Sequence, residues 1–145
     1  MVKRVKDVVS DLIRKHKTND PYELASRMNI EVVPWDLHED IYGFYKYERR
    51  NRFIFINSNL NEIMSRFVCS HELGHAVLHN KVNTPFLRKH TFFSIDKIEI
   101  EANTFAVELL LPDDFLDTYR NTDTTIYQVA AAHGIPRDFI HLKNF

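Results

Sequence analysis

The sequence is poor in the residues that mark secreted, fibrous or disordered proteins. Its 145 residues include 1 cysteine, 3 glycines and 5 prolines. The single cysteine, Cys69, excludes an internal disulfide, and we expect it to pack in the core of a protein of the reducing cytoplasm. Because 44% of the residues are hydrophobic, the composition is that of a compact globular chain and not of a linker or a disordered tail.

Strong net charge and long apolar runs are also missing. The formal net charge of −1 argues against binding nucleic acid through bulk electrostatics. No segment approaches the roughly 20 apolar residues of a membrane span. Residues 1–16 interleave charged and apolar side chains at helical spacing, which predicts an amphipathic first helix and not a signal peptide. We therefore expect one cytoplasmic domain over residues 1–145, with no membrane and no direct nucleic-acid partner.

The chain is organised around the motif His71-Glu72-Leu73-Gly74-His75. Residues four apart lie on the same face of a helix, so His71 and His75 can offer two imidazoles to one metal ion. Glu72 lies about 100° further round the helix, beside the metal rather than bonded to it. The flanking residues are apolar on nearly every side, which is typical of a buried central helix. Two histidines and a glutamate are costly there unless something binds them, so the motif predicts a zinc hydrolase.

A tetrahedral catalytic zinc needs a third protein ligand, and the spacing leaves several candidates open. His79 lies four residues past His75, but three successive turns of one straight helix cannot easily surround a metal ion. Residues 96–112 predict a second helix, because their apolar positions share one face and a proline ends the run. Glu99 and Glu101 lie at the two edges of that face. Either could point into a site between two packed helices, and geometry does not choose between them.

The two helical blocks together resemble the ImmA/IrrE family of zinc metallopeptidases. The first block, H-E-L-G-H-A-x-L-H, lies within residues 66–79, and the second, E-A-N-x-F-A-x-E-L-L-x-P, spans residues 101–112. Segments upstream also fit the pattern, at residues 20–25 and 53–57. The resemblance therefore covers most of the chain, from about residue 21 to the C-terminus.

The resemblance implies a set of ligands and a mechanism. In that family the glutamate directly before the Ala-Asn dipeptide is taken as the third zinc ligand, so one Zn²⁺ ion would be held by His71, His75 and Glu101. Zinc lowers the pKa of its bound water, Glu72 accepts the water proton, and the same carboxyl returns it to the leaving amine. The chain would then be a gluzincin-like zinc metalloendopeptidase, although manganese or iron would also suit two histidines and a glutamate.

Other side chains should orient the zinc-binding imidazoles, since ligand histidines usually donate their second N–H to a partner. Glu108 and Asn103, both in the second block, are candidates for that partner. The spacing does not decide between them.

The resemblance also implies a biological role. Its expected partner is a protein substrate, a helix-turn-helix transcriptional repressor encoded nearby on a phage or other mobile element, whose cleavage switches on the repressed genes. The alternative is a non-proteolytic derepressor that binds metal and repressor without cutting. An intact Glu72 weighs against that alternative, because a binding module has no use for a general base.

We expect an α+β, zincin-like fold, in which a small antiparallel or mixed sheet packs on helices and the motif helix is central. The C-terminal part, residues 113–145, should be helical, and residues 125–143 have the rhythm of a helix-turn-helix. Few basic residues follow Gly134, so a packing or docking role is favoured there over DNA binding. Turn and cap signals predict these elements: helix 21–28, strands 30–33, 41–47 and 52–57, a helix ending at residue 78, helix 96–112, and helices 125–133 and 136–142.

Overall fold

The computed structural model describes residues 4–81, 84, 86–89, 92 and 94–145. Within these ranges the chain is α+β, as predicted, with a four-stranded mixed sheet. None of the helices in this part of the chain is both long and apolar enough to cross a membrane. In chain order the elements are α1 (Val5–His16), α2 (Pro21–Arg27), β1 (Ile30–Trp35), β2 (Ile41–Glu48), β3 (Asn51–Asn57), α3 (Glu62–Leu78), β4 (Leu87–Arg88), α4 (Lys97–Leu110), α5 (Asp113–Thr118), α6 (Ile126–Ala132) and a 3₁₀ helix (Arg137–Leu142).

The sheet has the strand order β1-β3-β2-β4. β1 runs parallel to β3, whereas β2 is antiparallel to both β3 and β4. The strand predicted over residues 30–33 is longer in the structure, because pairing with β3 continues through Pro34 to Trp35. A proline is tolerated in this position because β1 is an edge strand of the sheet that the described residues form, and one of its sides has no neighbouring strand among them.

The predicted strands 41–47 and 52–57 correspond to β2 and β3, which form an antiparallel hairpin with a two-residue turn. Glu48 pairs with Asn51, which leaves Arg49 and Arg50 as the two connecting residues. Both have positive φ, 49° and 66°, the combination of a type I′ turn. This turn normally recruits asparagine and glycine, so the two arginines adopt the left-handed conformation at a cost in free energy.

Helix α3 begins where Asn61 caps it and then passes through the centre of the fold. The Asn61 side chain accepts a hydrogen bond from the backbone N–H of Met64 at 2.8 Å, so Asn61 is the N-cap. Residues 67–76 of this helix are all buried. One side packs on the sheet and the other on α4.

Two glycines let the layers on either side of α3 come close. A Cβ on Gly43 of β2 would lie 2.9 Å from Cγ1 of Val68, and a Cβ on Gly74 would lie 3.0 Å from Cβ of Phe105 in α4. Neither distance leaves room for a methyl group at ordinary contact. The glycines therefore hold the motif helix tightly between the sheet and α4, which fixes its position relative to both.

The C-terminal segment returns to α4 through a buried ion pair. Lys143 donates to Glu108, and both side chains are almost fully buried. The backbone N–H of Asn144 donates to the second oxygen of Glu108 at 3.1 Å, and Lys143 also reaches Asp113 at 2.8 Å. Both oxygens of Glu108 thus bind the C-terminal segment, and Glu108 does not contact the histidines of the motif.

Candidate metal centre

Three side chains of the motif converge as the helical spacing predicts. One potential ligand atom from each of His71, Glu72 and His75 lies within 4.8 Å of the others. The two imidazole rings stand nearly perpendicular, at 85°, with their centroids 4.8 Å apart. All three residues are at most 1% exposed. The helix therefore presents two nitrogen donors and a carboxylate inside the protein.

Helix α4 completes the cluster with Glu99. Its Oε1 lies 3.1 Å from Nε2 of His71 and 3.1 Å from Nε2 of His75. Glu99 is 7% exposed although it is a charged residue in the first turn of its helix. One carboxylate oxygen of Glu99 thus faces the Nε2 atom of each imidazole. Two nitrogen donors and one oxygen donor suit a zinc-type ion.

The structure does not bring Glu101 to the two motif histidines, so the ligand set that the resemblance implies stays a prediction. Glu101 contacts His79 instead, with 3.4 Å between Oε1 and Nε2. Residues two apart on a helix differ by about 200° in direction, so Glu99 and Glu101 cannot face the same site. Once α4 packs with Glu99 towards α3, Glu101 points elsewhere.

His79 is likewise not positioned as a third donor to the cluster. Its Nδ1 lies 3.0 Å from Nδ1 of His75, on the opposite side of that ring from the Nε2 that faces Glu99. His79 therefore approaches the second nitrogen of His75 and not the space between the two motif histidines and Glu99.

Asn103 provides the second contact of the other imidazole. Its Oδ1 lies 2.7 Å from Nδ1 of His71, and an amide oxygen can only accept there, so His71 carries its proton on Nδ1. This tautomer leaves Nε2 of His71 free to bind a metal ion. Of the two candidates for this role, Asn103 and Glu108, only Asn103 lies at the site.

The four titratable groups of the cluster perturb one another's pKa values. Burial would raise the pKa of Glu99, but hydrogen bonding with the protonated forms of the two imidazoles lowers it to about 2. Burial raises the pKa of Glu72 to about 7, with His71 opposing the shift in part. Burial lowers the pKa of His75. For His71 burial acts in the same direction, but the nearby Glu99 and Glu72 outweigh it and raise its pKa.

The site fits a metal ion and water because some of its carboxylate oxygens make no hydrogen bond with the described residues. In the described part of the chain, neither oxygen of Glu72 has a hydrogen-bond partner, and the same is true of Oε2 of Glu99. Leaving buried charged oxygens unsatisfied costs several kcal/mol in general (roughly 1–3 kcal/mol for each unpaired group, more when charged). A divalent cation and a water molecule would satisfy these atoms.

One signal in the sequence could have identified Glu99 and Asn103 together. They are four residues apart on α4, just as His71 and His75 are on α3. Two helices that present pairs at this spacing can match them face to face. The carboxylate then meets both imidazoles while the amide, one turn later, meets only His71.

The cysteine beside the motif lies away from this chemistry. Cys69 is fully buried among apolar residues, and burial raises the pKa of its thiol. Metal binding and redox chemistry need a thiolate, which this environment disfavours. Cys69 therefore packs in the core, as expected from the sequence.

Comparison with known proteins places the geometry in context. Residues 25–143 match the family model Peptidase M78, described as the IrrE N-terminal-like domain. The chain is 57% identical over 140 residues to the uncharacterized immunity region protein 2 of Bacillus phage phi105, an alignment that covers 97% of this chain and 89% of the relative. It is 33% identical over 115 residues to metallopeptidase ImmA of Bacillus subtilis strain 168, covering 79% of this chain and 68% of that protein.

Proposed function

Since the chain belongs to the Peptidase M78 family of metallopeptidases, we propose that it is a zinc-dependent endopeptidase of zincin-like architecture. The observation that carries this proposal is the convergence of His71, His75 and Glu99 beside the unpartnered carboxylate of Glu72. In this proposal Glu99, and not Glu101, is the third protein ligand. Its support is the pair of 3.1 Å approaches from one oxygen of Glu99 to both Nε2 atoms.

Each residue then has a defined part in hydrolysing a peptide bond. His71 and His75 bind through Nε2, and Asn103 keeps the proton of His71 on Nδ1. When bound, a zinc ion acts as a Lewis acid, which makes water more acidic and polarises the scissile carbonyl. Glu72 accepts a proton from the attacking water at its carboxylate and delivers it to the nitrogen of the leaving amine.

The carboxylate of Glu72 is placed for this work by its helix. It shares the buried motif with the two histidines but makes no hydrogen bond to either of them or to any other described residue. A carboxylate held in this way keeps its lone pairs available for a proton. Its neighbours exclude bulk water, since the whole motif is buried, and this strengthens the interaction with a developing charge.

The proposed substrate is a protein repressor of helix-turn-helix type, whose cleavage derepresses phage or mobile-element genes. The resemblance to phage-type members of the family supports this choice, as does the relative from a phage immunity region. The competing proposal is a protein that derepresses by binding the repressor without cutting it. The orphaned Glu72 oxygens favour hydrolysis, because a binding module gains nothing from a buried carboxylate that has no partner.

The decisive experiment compares the wild type with Glu72→Gln, and separately measures the metal content of Glu99→Ala and Glu101→Ala. We expect Glu72→Gln to keep near-stoichiometric zinc and to lose both cleavage of the co-expressed repressor and activation of a reporter that it represses. Undiminished reporter activation by Glu72→Gln would refute hydrolysis and support the binding alternative. Zinc retained by Glu99→Ala but lost by Glu101→Ala would refute the proposed ligand set.

A further inference from the structure

His79 and Glu101 form a short hydrogen-bonded chain that ends on His75. Nδ1 of His79 lies 3.0 Å from Nδ1 of His75, and Nε2 of His79 lies 3.4 Å from Oε1 of Glu101. The side chain of His79 is 10% exposed and that of Glu101 34%. This series of hydrogen bonds therefore runs from the buried His75 outwards to the carboxylate of Glu101, which is in contact with water.

The backbone holds His79 in this position at the end of α3. The N–H of His79 donates to the carbonyl oxygen of His75 at 2.8 Å, which closes the last turn of the helix. The rings of His75 and His79 follow one another along the helix, with centroids 5.2 Å apart and an angle of 52° between their planes. Their edges meet through nitrogen atoms and not through stacked faces.

The direction of each hydrogen bond follows from the metal site. If His75 binds a cation through the Nε2 that faces Glu99, its proton must sit on Nδ1, and it donates to His79. Nδ1 of His79 must then be the acceptor, which puts the proton of His79 on Nε2. That N–H points to the carboxylate of Glu101, which accepts a hydrogen bond and carries no proton itself.

The opposite tautomers leave an unfavourable contact. A proton on Nδ1 of His79 would compete with the proton of His75 for the same 3.0 Å gap. The bare Nε2 of His79 would then face the carboxylate of Glu101, so that two acceptors met with no hydrogen between them. Glu101 thus selects one tautomer of His79, and His79 in turn selects the metal-binding tautomer of His75.

We propose that His79 and Glu101 are positioning residues that fix the tautomer and ring orientation of His75, and that they thereby raise the affinity of the site for its metal ion. This inference rests on the proposed function of His71, His75 and Glu99 as ligands. It gives Glu101 a role near the metal without making it a ligand. It also makes the two imidazoles differently supported, since His71 relies on the neutral amide of Asn103 and His75 on a histidine backed by a carboxylate.

The test measures zinc affinity by competition with a chromophoric chelator for wild type, Glu101→Ala, Glu101→Gln and His79→Ala. Loss of a partner of this kind typically weakens metal binding about 10- to 100-fold, and we expect Glu101→Ala and His79→Ala to fall in that range. Glu101→Gln keeps an oxygen acceptor and should recover most of the affinity. Lys97→Ala, an exposed change on the same helix, serves as the matched control and should bind as the wild type does.

A second readout examines the protons themselves. Long-range ¹H–¹⁵N NMR correlations of the zinc-loaded protein should show His79 protonated on Nε2 in the wild type, and this preference should be lost in Glu101→Ala. His79 protonated on Nδ1 in the wild type would overturn the inference, whatever the affinities. Urea unfolding of the metal-free variants shows whether each one folds. If His79→Ala does not fold, the comparison of Glu101→Ala with Glu101→Gln still tests the inference.

The outcomes separate this inference from the proposed function. Zinc bound equally well by wild type, Glu101→Ala and His79→Ala would overturn the positioning role and leave the metal site intact. Complete loss of zinc in Glu101→Ala, matching Glu99→Ala, would make Glu101 a ligand and also overturn it. A wild type that binds no zinc would overturn the proposed function itself.

Discussion

Replacing Gly74 by alanine should weaken metal binding far more than it changes the stability of the fold. Gly74 lies between the two motif histidines, where α4 crosses α3. An added Cβ would lie 3.0 Å from Cβ of Phe105 and 3.2 Å from both Cα and the carbonyl oxygen of Ala102. Carbon atoms pack best at about 3.5–4.0 Å, so α4 has to retreat by roughly 0.5 Å. Two of the three contacts are backbone atoms, which cannot rotate away.

The two effects of Gly74→Ala on stability have opposite signs. Alanine inside a helix is favoured over glycine by about 1 kcal/mol, whereas an overpacked core costs typically 1–3 kcal/mol. We expect a net loss of about 0–2 kcal/mol in the free energy of unfolding of the metal-free protein. The site is more sensitive, because Glu99 lies three residues from Ala102 on the displaced helix. Functional groups need to be held within about 0.5 Å of their productive geometry, so zinc affinity should fall at least tenfold.

Zinc affinity from chelator competition and stability from urea unfolding measure these two effects separately. Gly134→Ala is the control, since Gly134 has a φ of 76° and its added Cβ would meet Ile63, in the first turn of α3 and about two helical turns before His71. That change should cost about 1–2 kcal/mol of stability through backbone strain and leave zinc affinity unchanged. Wild-type zinc affinity in a folded Gly74→Ala would refute the argument that close approach of α4 places Glu99.

Three further predictions test other parts of the structure. Lys143→Met leaves the buried carboxylate of Glu108 without its cation and should lower the free energy of unfolding by about 3–5 kcal/mol. Adding Glu108→Gln should recover much of this loss, as measured by urea unfolding. A double variant no more stable than Lys143→Met would contradict a buried ion pair. Arg50→Gly relieves the positive φ in the β2–β3 turn and should raise stability by about 0.5–1 kcal/mol, a gain that an unchanged urea midpoint would exclude. The thiol of Cys69 is buried and its pKa is raised, so iodoacetamide should label it only when urea unfolds the chain, as followed by mass spectrometry. Fast labelling of the native protein would disprove its core position.

Local sequence patterns were sufficient to predict the elements whose determining interactions join residues that are close in sequence. The cap on α2 follows from Asp20 and Pro21, and the Asp20 side chain accepts from the N–H of Tyr22 at 2.9 Å. The hairpin of β2 and β3 follows from two β-prone runs separated by a short charged turn. The convergence of His71 and His75 needs nothing beyond the pitch of one helix. In each case the partner residues lie in one helix and its cap or in two consecutive strands.

Elements that depend on a distant partner were missed or left open. β4 has only two residues and exists because Leu87 and Arg88 pair with β2, a contact that local propensity cannot indicate. The six-residue helix α5 lies in the segment predicted to be helical, although the sequence did not give its bounds, and the second C-terminal helix proved to be a 3₁₀ helix. The pairing of Lys143 with Glu108 joins residues 35 positions apart, and only the folded chain brings them together.

The sequence by itself determined that two imidazoles and a glutamate share one buried helix, because a helix repeats every 3.6 residues whatever surrounds it. The tertiary structure decided which carboxylate meets those imidazoles. α4 packs against α1, α3 and the 3₁₀ helix, so the apolar face predicted from its sequence does not by itself say which side of α4 contacts α3. Packing against the small residue Gly74 selects one rotation, in which Glu99 and Asn103 face His71 and His75 while Glu101 turns to His79.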